Sequence, residues 1–560
     1  MSTPSQPADF HINLTTRDWI IVVAIGLLAC LPLYIYGVPF VGDLPHHYRT
    51  ALGFYQSIVS GNYYPSWHPS TNGGYGDPSV RFYPPALYFL MCGARLITRD
   101  WFLAGLLTAT VLTTTGALGM YFWARCFTTH QYALAAGLLF LFSPFHANEM
   151  YQAGMYGQYA AANVLPFVFA FVERIIQDRR SRSGGSSADI AGLGLSYGLV
   201  ILFHVPLAVL GSISLALYAL IRLVQAFKIG SIYRLVAGVM LGVALSCFYW
   251  LPVMRELKWK YPSGAGQGEW FNYKNNFLFQ QSPSVMSDFL LPMLVAATLV
   301  LAAPIAILIV KKEKVALAPG AVAVVSFLMA TPLSKPIWDA LPVLQETQFP
   351  WRWMTITSAC LSLLVTVSLA HLYAMRRSRW RPIALALIGL VVIALSFTLL
   401  QLVRGAFMFD RATFNQKVAS EKGAETNQDF LPVWAHGKLG SMNAVVEVPN
   451  RSVTVLDWSA EHKTFALEAG PEAEARLKIY YYPLWLASMN GNRLTTRPAE
   501  DGALLIAVPA EKATIEVSFT EPRSSYIAAM VSVFALVLII IFWGLSIRRN
   551  RRLIDKSTFV

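Results

Sequence analysis

Apolar runs of roughly 17–25 residues recur from one end of this chain to the other, each long enough to cross about 30 Å of hydrocarbon. That repetition constrains the fold more than any other feature. Hydrophobic residues make up 55% of the 560 positions and charged residues only 13%, with a mean hydropathy of +0.48, which excludes an ordinary soluble protein. The runs predict twelve spanning helices near 19–41, 101–124, 131–145, 159–176, 189–203, 205–222, 235–253, 289–310, 315–331, 352–374, 382–403 and 524–547. Trp19 to Phe40 is too long for a signal h-region and no small-residue cleavage site follows, so it reads as a retained first helix.

The net charge of +13 would suggest nucleic acid in a soluble chain. Here the basic residues fall in short clusters between apolar runs, as in cytoplasmic loops, which argues against a nucleic-acid partner. The clusters are Arg125; Arg174, Arg179, Arg180 and Arg182; Arg222, Lys228 and Arg234; Lys311, Lys312 and Lys314; Arg376, Arg377, Arg379 and Arg381; and Arg548, Arg549, Arg551 and Arg552. All six lie on one side only if both termini are cytoplasmic, the arrangement expected of a multi-pass protein of the cell inner membrane. That parity also places the short run Pro84 to Leu96 at the outer interface, with a short span as the alternative.

The expected organisation is a transmembrane domain over 1–403, an extracytoplasmic β-rich domain over 404–523, a final helix over 524–547 and a basic tail over 548–560. The outer connections are 41–100, 144–158, 255–287 and 332–351. Runs such as SVTVLDW (452–458), KTFAL (463–467), ARLKIYYY (475–482) and ATIEVSF (513–519), with turn signals at Asn490-Gly491 and Asp501-Gly502, predict a small β-sandwich. The five cysteines all lie in or beside apolar runs, with spacing that fits neither a disulfide framework nor zinc.

The first outer loop holds the most informative chemistry. Asp43 follows the first helix at a plausible N-cap of a helix over 44–60, with His46 and His47 able to share its face. Two roles are open to it: a helix cap beside interfacial histidines, or a carboxylate base at the membrane boundary tuned by nearby imidazoles. No second cluster with metal-ligand spacing accompanies it, so a divalent metal is not supported. Tyr63, Tyr64, Trp67 and Tyr75 fit either interfacial anchors or platforms for sugar rings. Arg352, after Phe349-Pro350-Trp351, fits a snorkelling anchor or a phosphate ligand, and Arg81, before Tyr83-Pro84, is a second candidate at the same depth. His204 reads as a buried helix-end residue or a substrate contact. No P-loop, GxGxxG, HExxH or nucleophile elbow is present, which argues against nucleotide-sugar use.

An acidic residue soon after the first helix, then G-N-Y-Y-P-S-W, N-G-G-Y-G and F-Y-P-P, resembles bacterial members of the lipid-carrier-dependent glycosyltransferase C (GT-C) superfamily. Within it the chain is most similar to the multispanning family labelled pyruvoyl-tetrahydropterin-synthase-related. The likeness continues in L-F-S-P-F-H (141–146), Q-F-P-W-R-W (348–353) and Y-Y-P-L-W (481–485). It implies an acidic residue of the first outer loop at the active site, which Asp43 matches, and often a second in the next outer loop, where Glu149 is the best match. It also implies transfer of a sugar from a polyprenyl-phosphate donor to a glycan, lipid or protein acceptor. A transporter or flippase of lipid-linked saccharide and a non-catalytic scaffold are the rival readings. The absence of repeated halves and the concentration of polar chemistry in outer loops place transport second.

Overall fold

The computed structural model describes residues 15–177, 186–262, 271–280, 314–374, 401–422, 430–436, 440 and 442–557, with isolated positions between 382 and 400. The expected span at 289–310, most of that at 382–403, and the basic sites Arg179, Arg180, Arg182, Lys311, Lys312 and Arg376 to Arg381 lie outside the described residues.

The first half of the chain is helical. Its elements are α1 (Thr16–Tyr36), α2 (Leu44–Val59), α3 (Ser79–Phe82), α4 (Ala86–Thr98), α5 (Trp101–Arg125) and α6 (His130–Leu141). There follow α7 (Pro144–Tyr151), α8 (Tyr156–Gln177), α9 (Ser186–Phe203), α10 (Val205–Gln225), α11 (Ile229–Leu245) and α12 (Cys247–Glu256). Further helices cover Leu317–Met329, Trp353–Ala374, Arg411–Ser420 and Arg523–Ser557. Local chemistry explains several of the ends. Thr15 and Asp18 form a reciprocal capping box at the start of α1. Asp100 caps α5, and Pro144 starts α7.

Among the described residues six helices are long and apolar enough to cross a membrane, or eight if each of two bent pairs is one crossing, against the twelve expected. The expected straight span 235–253 is a bent pair, with α11 and α12 meeting at 66° around Ser246. The expected span 131–145 divides at Phe142-Ser143, because Pro144 cannot continue the hydrogen-bond ladder of α6. At 13 residues α4 is about 20 Å long, short of a hydrocarbon core.

Burial orders the helices. Only 28% of the apolar window of α1 and 22% of that of Arg523–Ser557 is covered by protein, against 83% for α8 and 89% for Pro350–His371. The last two therefore form the centre of the bundle. At one end of it, the Glu173 carboxylate, fully buried on α8, accepts from Arg222 and from the Tyr218 hydroxyl of α10. Arg174 likewise pairs with Asp189. The five cysteines are buried free thiols.

The last third forms two antiparallel sheets. Besides the short pair β1 (Val38–Pro39) and β2 (Met408–Phe409), the strands are β3 (Val446–Glu447), β4 (Val453–Trp458), β5 (His462–Leu467), β6 (Ala473–Tyr480) and β7 (Trp485–Met489). They continue with β8 (Asn492–Leu494), β9 (Thr496–Pro498), β10 (Ala503–Val508) and β11 (Ala513–Phe519). The strand orders are β3-β6-β10-β9 and β4-β5-β11-β7-β8. Asn490 and Gly491, at φ 51° and 80°, make the tight turn between β7 and β8. Both sheets bury their alternate residues in one core, with Leu477 and Ile506 from one and Phe465, Ile515 and Val517 from the other.

That core is not made by the strands alone. Trp67 and Tyr75 from the 41–100 connection are buried in it. Trp67 lies against Tyr482, Trp485 and Phe519, and Tyr75 stacks on Tyr480 at 4.9 Å while accepting from the Met442 amide. These two rings are therefore neither interfacial anchors nor exposed sugar platforms. They plug the helical part into the β-domain.

Candidate functional site

Four helix N-termini meet at one end of the bundle. They carry Asp43 (before α2), Gln158 (first turn of α8), His204 (N-cap of α10), and Arg352 with Thr355 (start of Trp353–Ala374). Aligned peptide dipoles make such ends favourable for anions. Two glycines let the connections 41–100 and 144–158 touch. Gly42 and Gly154 both have positive φ, and a Cβ on either would meet backbone oxygen of the other loop, Ala153 O at 1.9 Å or Val41 O at 2.2 Å. The Asp43 amide donates to Ala153 O at 3.2 Å across the same seam.

The Asp43 carboxylate does not cap α2: its backbone is helical and no side-chain cap bond forms. Nor does it have a hydrogen bond or ion pair among the described residues. The residue is exposed, yet enough protein stands around its carboxylate for desolvation to dominate its titration. That desolvation raises its pKa, while Arg352 and then His46 act to lower it. Tyr83 faces the same space: burial raises its phenol, Asp43 adds to the rise and Arg352 opposes it.

The other expected residues divide sharply. His46 is exposed beside Asp43, and desolvation followed by Arg49 lowers its pKa, so it is a neutral hydrogen-bonding group rather than a cation at neutral pH. His47 is buried and pushed down to about 3 by desolvation. Its Nδ1 meets the Tyr88 hydroxyl at 3.2 Å and its Nε2 accepts the Gly157 amide at 3.4 Å, so both ring nitrogens serve the fold and not a substrate. His204 caps α10, with Nδ1 accepting the Leu207 amide at 3.2 Å. Its ring stands across Gly157 from His47.

Arg352 is buried, with its guanidinium over the rings of Phe349 (4.7 Å) and Trp351 (5.8 Å). Its Nε donates to Gln158 Oε1 at 3.0 Å and its Nη1 to the Thr347 carbonyl at 2.5 Å. Among the described residues its Nη2 has no hydrogen-bond partner. Glu149 is fully buried, with Oε1 accepting from Gln158 Nε2 (2.6 Å) and Thr355 Oγ1 (2.8 Å), and Oε2 lying 3.2 Å from His146 Nδ1. It is buried, as Arg352 is, whereas Asp43 is exposed.

Arg81 departs from the sequence expectation. Its guanidinium is buried and fully engaged, with Nε and Nη2 donating to Glu256 (2.8 and 2.5 Å) and Nη1 and Nη2 donating to Glu521. Tyr482 also donates to Glu256 at 2.7 Å. Two carboxylates leave no edge for a phosphate, so Arg81 clasps the 41–100 connection to α12 and to the end of the β-domain. Sequence reasoning did not single out Gln158, Thr355, His146 or Tyr83. Gln158 and His146 do carry a readable signal, as polar residues flanking Glu149 within the 144–158 connection. Among the described residues no group of three or more His, Cys, Asp or Glu side chains is arranged to hold a metal ion.

The sequence profile of a membrane-protein family, described as the 6-pyruvoyl-tetrahydropterin synthase related domain, matches residues 80–403, more than half of the chain. The chain belongs to this family. The family description gives a membrane protein, and the several apolar helices make it a multi-pass one. No curated protein matches the chain.

Several solved structures are similar to this member of the family. Arabinofuranosyltransferase AftD from Mycobacteria matches with a TM-score of 0.49 and 15% identity, over 71% of this chain and 27% of that one. The Archaeoglobus fulgidus oligosaccharyltransferase matches at 0.44 and 11%, over 76% and 58%. ArnT from Cupriavidus metallidurans, solved bound to undecaprenyl phosphate, matches at 0.40 and 16%, over 73% and 76%. This chain thus spans about a quarter of the length of AftD and somewhat more than half of the oligosaccharyltransferase.

Proposed function

We propose that this protein is a glycosyltransferase of the GT-C type, taking a sugar from a polyprenyl-phosphate donor and passing it to an acceptor hydroxyl at the outer face of the inner membrane, with both termini cytoplasmic. The observation that carries this reading is an exposed carboxylate excused from helix capping, under the influence of an arginine with an unpartnered Nη2. The sequence resemblance at Asp43 and its following motifs agrees with it.

In the reaction, the acceptor oxygen attacks the anomeric carbon of the donor sugar and its proton passes to Asp43. The bond from that carbon to the phosphate oxygen breaks, and the electron pair leaves with the polyprenyl phosphate. Arg352 and the converging helix N-termini stabilise the charge gathering on the departing phosphate. A phosphate leaves without a general acid, so one carboxylate suffices, unlike glycosidases with two flanking the bond. His46 and Tyr83, beside Asp43, contact sugar or acceptor, and His204 stands across Gly157 from His47.

The test is a deletion strain. The polyprenyl-phosphate sugar pool should rise and one envelope glycan or lipid should lose a sugar, both reversed by the wild-type gene. Purified protein should release polyprenyl phosphate only when acceptor is present. An unchanged lipid-linked pool together with no release would refute the proposal.

A further inference from the structure

Arg352 would serve a phosphate well only if its free edge were aimed, and the structure contains a device for aiming it. The Gln158 amide can be oriented only one way by its partners. Its nitrogen donates to Glu149 Oε1 at 2.6 Å and to Thr355 Oγ1 at 3.2 Å, so its oxygen must face Arg352, where it accepts from Nε at 3.0 Å. Behind it Glu149 is held in turn. Oε1 receives Thr355 as well as Gln158, while Oε2 lies 3.2 Å from His146 Nδ1 without a hydrogen bond. His146 is itself fixed, stacked between Phe140 (4.2 Å) and Tyr159 (4.5 Å), with Nε2 at 3.2 Å from Asn163 Oδ1. Asn163 Nδ2 donates to the Tyr159 carbonyl, which leaves its oxygen for the histidine. Every member of this line is essentially buried.

We propose that Gln158 is a positioning residue that fixes the Arg352 guanidinium with its Nη2 edge left to take a phosphate, and that Glu149 is the buried anchor of Gln158 rather than a second base. The inference rests on the phosphate reading above. With Nε held by Gln158, Nη1 by the Thr347 carbonyl and the plane set by Phe349 and Trp351, the guanidinium has one edge left to offer. Such a pre-set fork spends little ordering entropy on binding. A carboxylate two bonds back in a dry line of donors is in no position to take a proton from an acceptor hydroxyl.

The experiment measures binding of a polyprenyl monophosphate to purified full-length protein in detergent, read by the change in intrinsic tryptophan fluorescence. Gln158→Leu should weaken binding about 10–100-fold, the usual worth of a hydrogen bond to a charged group. Adding Gln158→Leu to Arg352→Met should weaken it no further. Gln158→Glu places two carboxylates together and should also bind poorly. Wild-type binding by Gln158→Leu would overturn the positioning role. If the wild-type protein itself fails to bind, the phosphate reading falls, and melting temperatures decide the positioning claim separately. Non-additive shifts for Gln158→Leu and Arg352→Met sustain it, and additive shifts refute it.

Discussion

Asparagine at position 43 separates the two roles open to this residue. A side-chain cap is usually worth about 0.5–2 kcal/mol, but Asp43 makes no cap bond, so that contribution is absent here. Desolvation raises its folded pKa above the unfolded value, so ionisation is disfavoured by folding. The resulting destabilisation is absent below the unfolded pKa, grows as pH rises through the folded pKa, and is complete above it. At neutral pH Asp43→Asn and Asp43→Ala should therefore both melt at or slightly above the wild-type temperature. Transfer should behave in the opposite way, with Asn lowering the rate by about 10²–10⁴-fold because an amide cannot take the proton. The acid limb of wild-type activity should sit above the ordinary aspartate range near 4. Arg352→Gln should move it higher, since Arg352 is the leading group that lowers the Asp43 pKa. The assays are thermal unfolding of detergent-extracted protein and single-turnover sugar transfer across pH. A fully active Asn variant would remove Asp43 from catalysis. An Ala variant losing more than about 1 kcal/mol while Asn loses none would restore the capping role.

Three further outcomes follow from the surroundings of the site. Arg81→Met leaves Glu256 and Glu521 facing each other without a cation and should cost about 3–5 kcal/mol, seen as a large fall in melting temperature. Trp67→Ala removes a ring from the β-domain core and should cost about 3–5 kcal/mol, with faster proteolysis of the 442–522 region of the intact protein. Gly154→Ala adds a Cβ at positive φ and 2.2 Å from Val41 O, so it should part the two connections and lower transfer more than it lowers melting temperature.

How much of this was legible beforehand depended on the range of the interaction. Helix positions at 101–125, 156–177 and 205–225 follow from continuous apolar runs, and strands β4, β5, β6, β10 and β11 from β-branched stretches between turn signals, all local properties. The breaks at Ser246 and Phe142-Ser143 lie inside runs that are apolar throughout, so hydropathy reads across them. The short strands β8 and β9 contain charged residues and little alternation, and they exist because β7 and β10 offer them edges. Asp43 could be found because one carboxylate follows a long apolar run at the start of a polar loop. Its freedom from capping could not, because that depends on the local backbone angles.

The two arginines show where sequence reasoning reaches its boundary. Arg81 and Arg352 both sit beside a proline-aromatic motif at the edge of an apolar segment, and by local criteria they are alike. What separates them lies far away in the chain. Arg81 meets carboxylates 175 and 440 residues distant, which engage all three of its guanidinium nitrogens. Arg352 meets an amide 194 residues away that accepts a single hydrogen bond and leaves an edge open. A carboxylate partner turns a guanidinium into a structural clasp, since two anions outbid a third for the same donors. A neutral amide partner keeps the positive charge available while fixing its direction. The difference between a closed clasp and a guanidinium with a free edge is thus set by whether a distant residue is Glu or Gln, and only the fold says which distant residue that is.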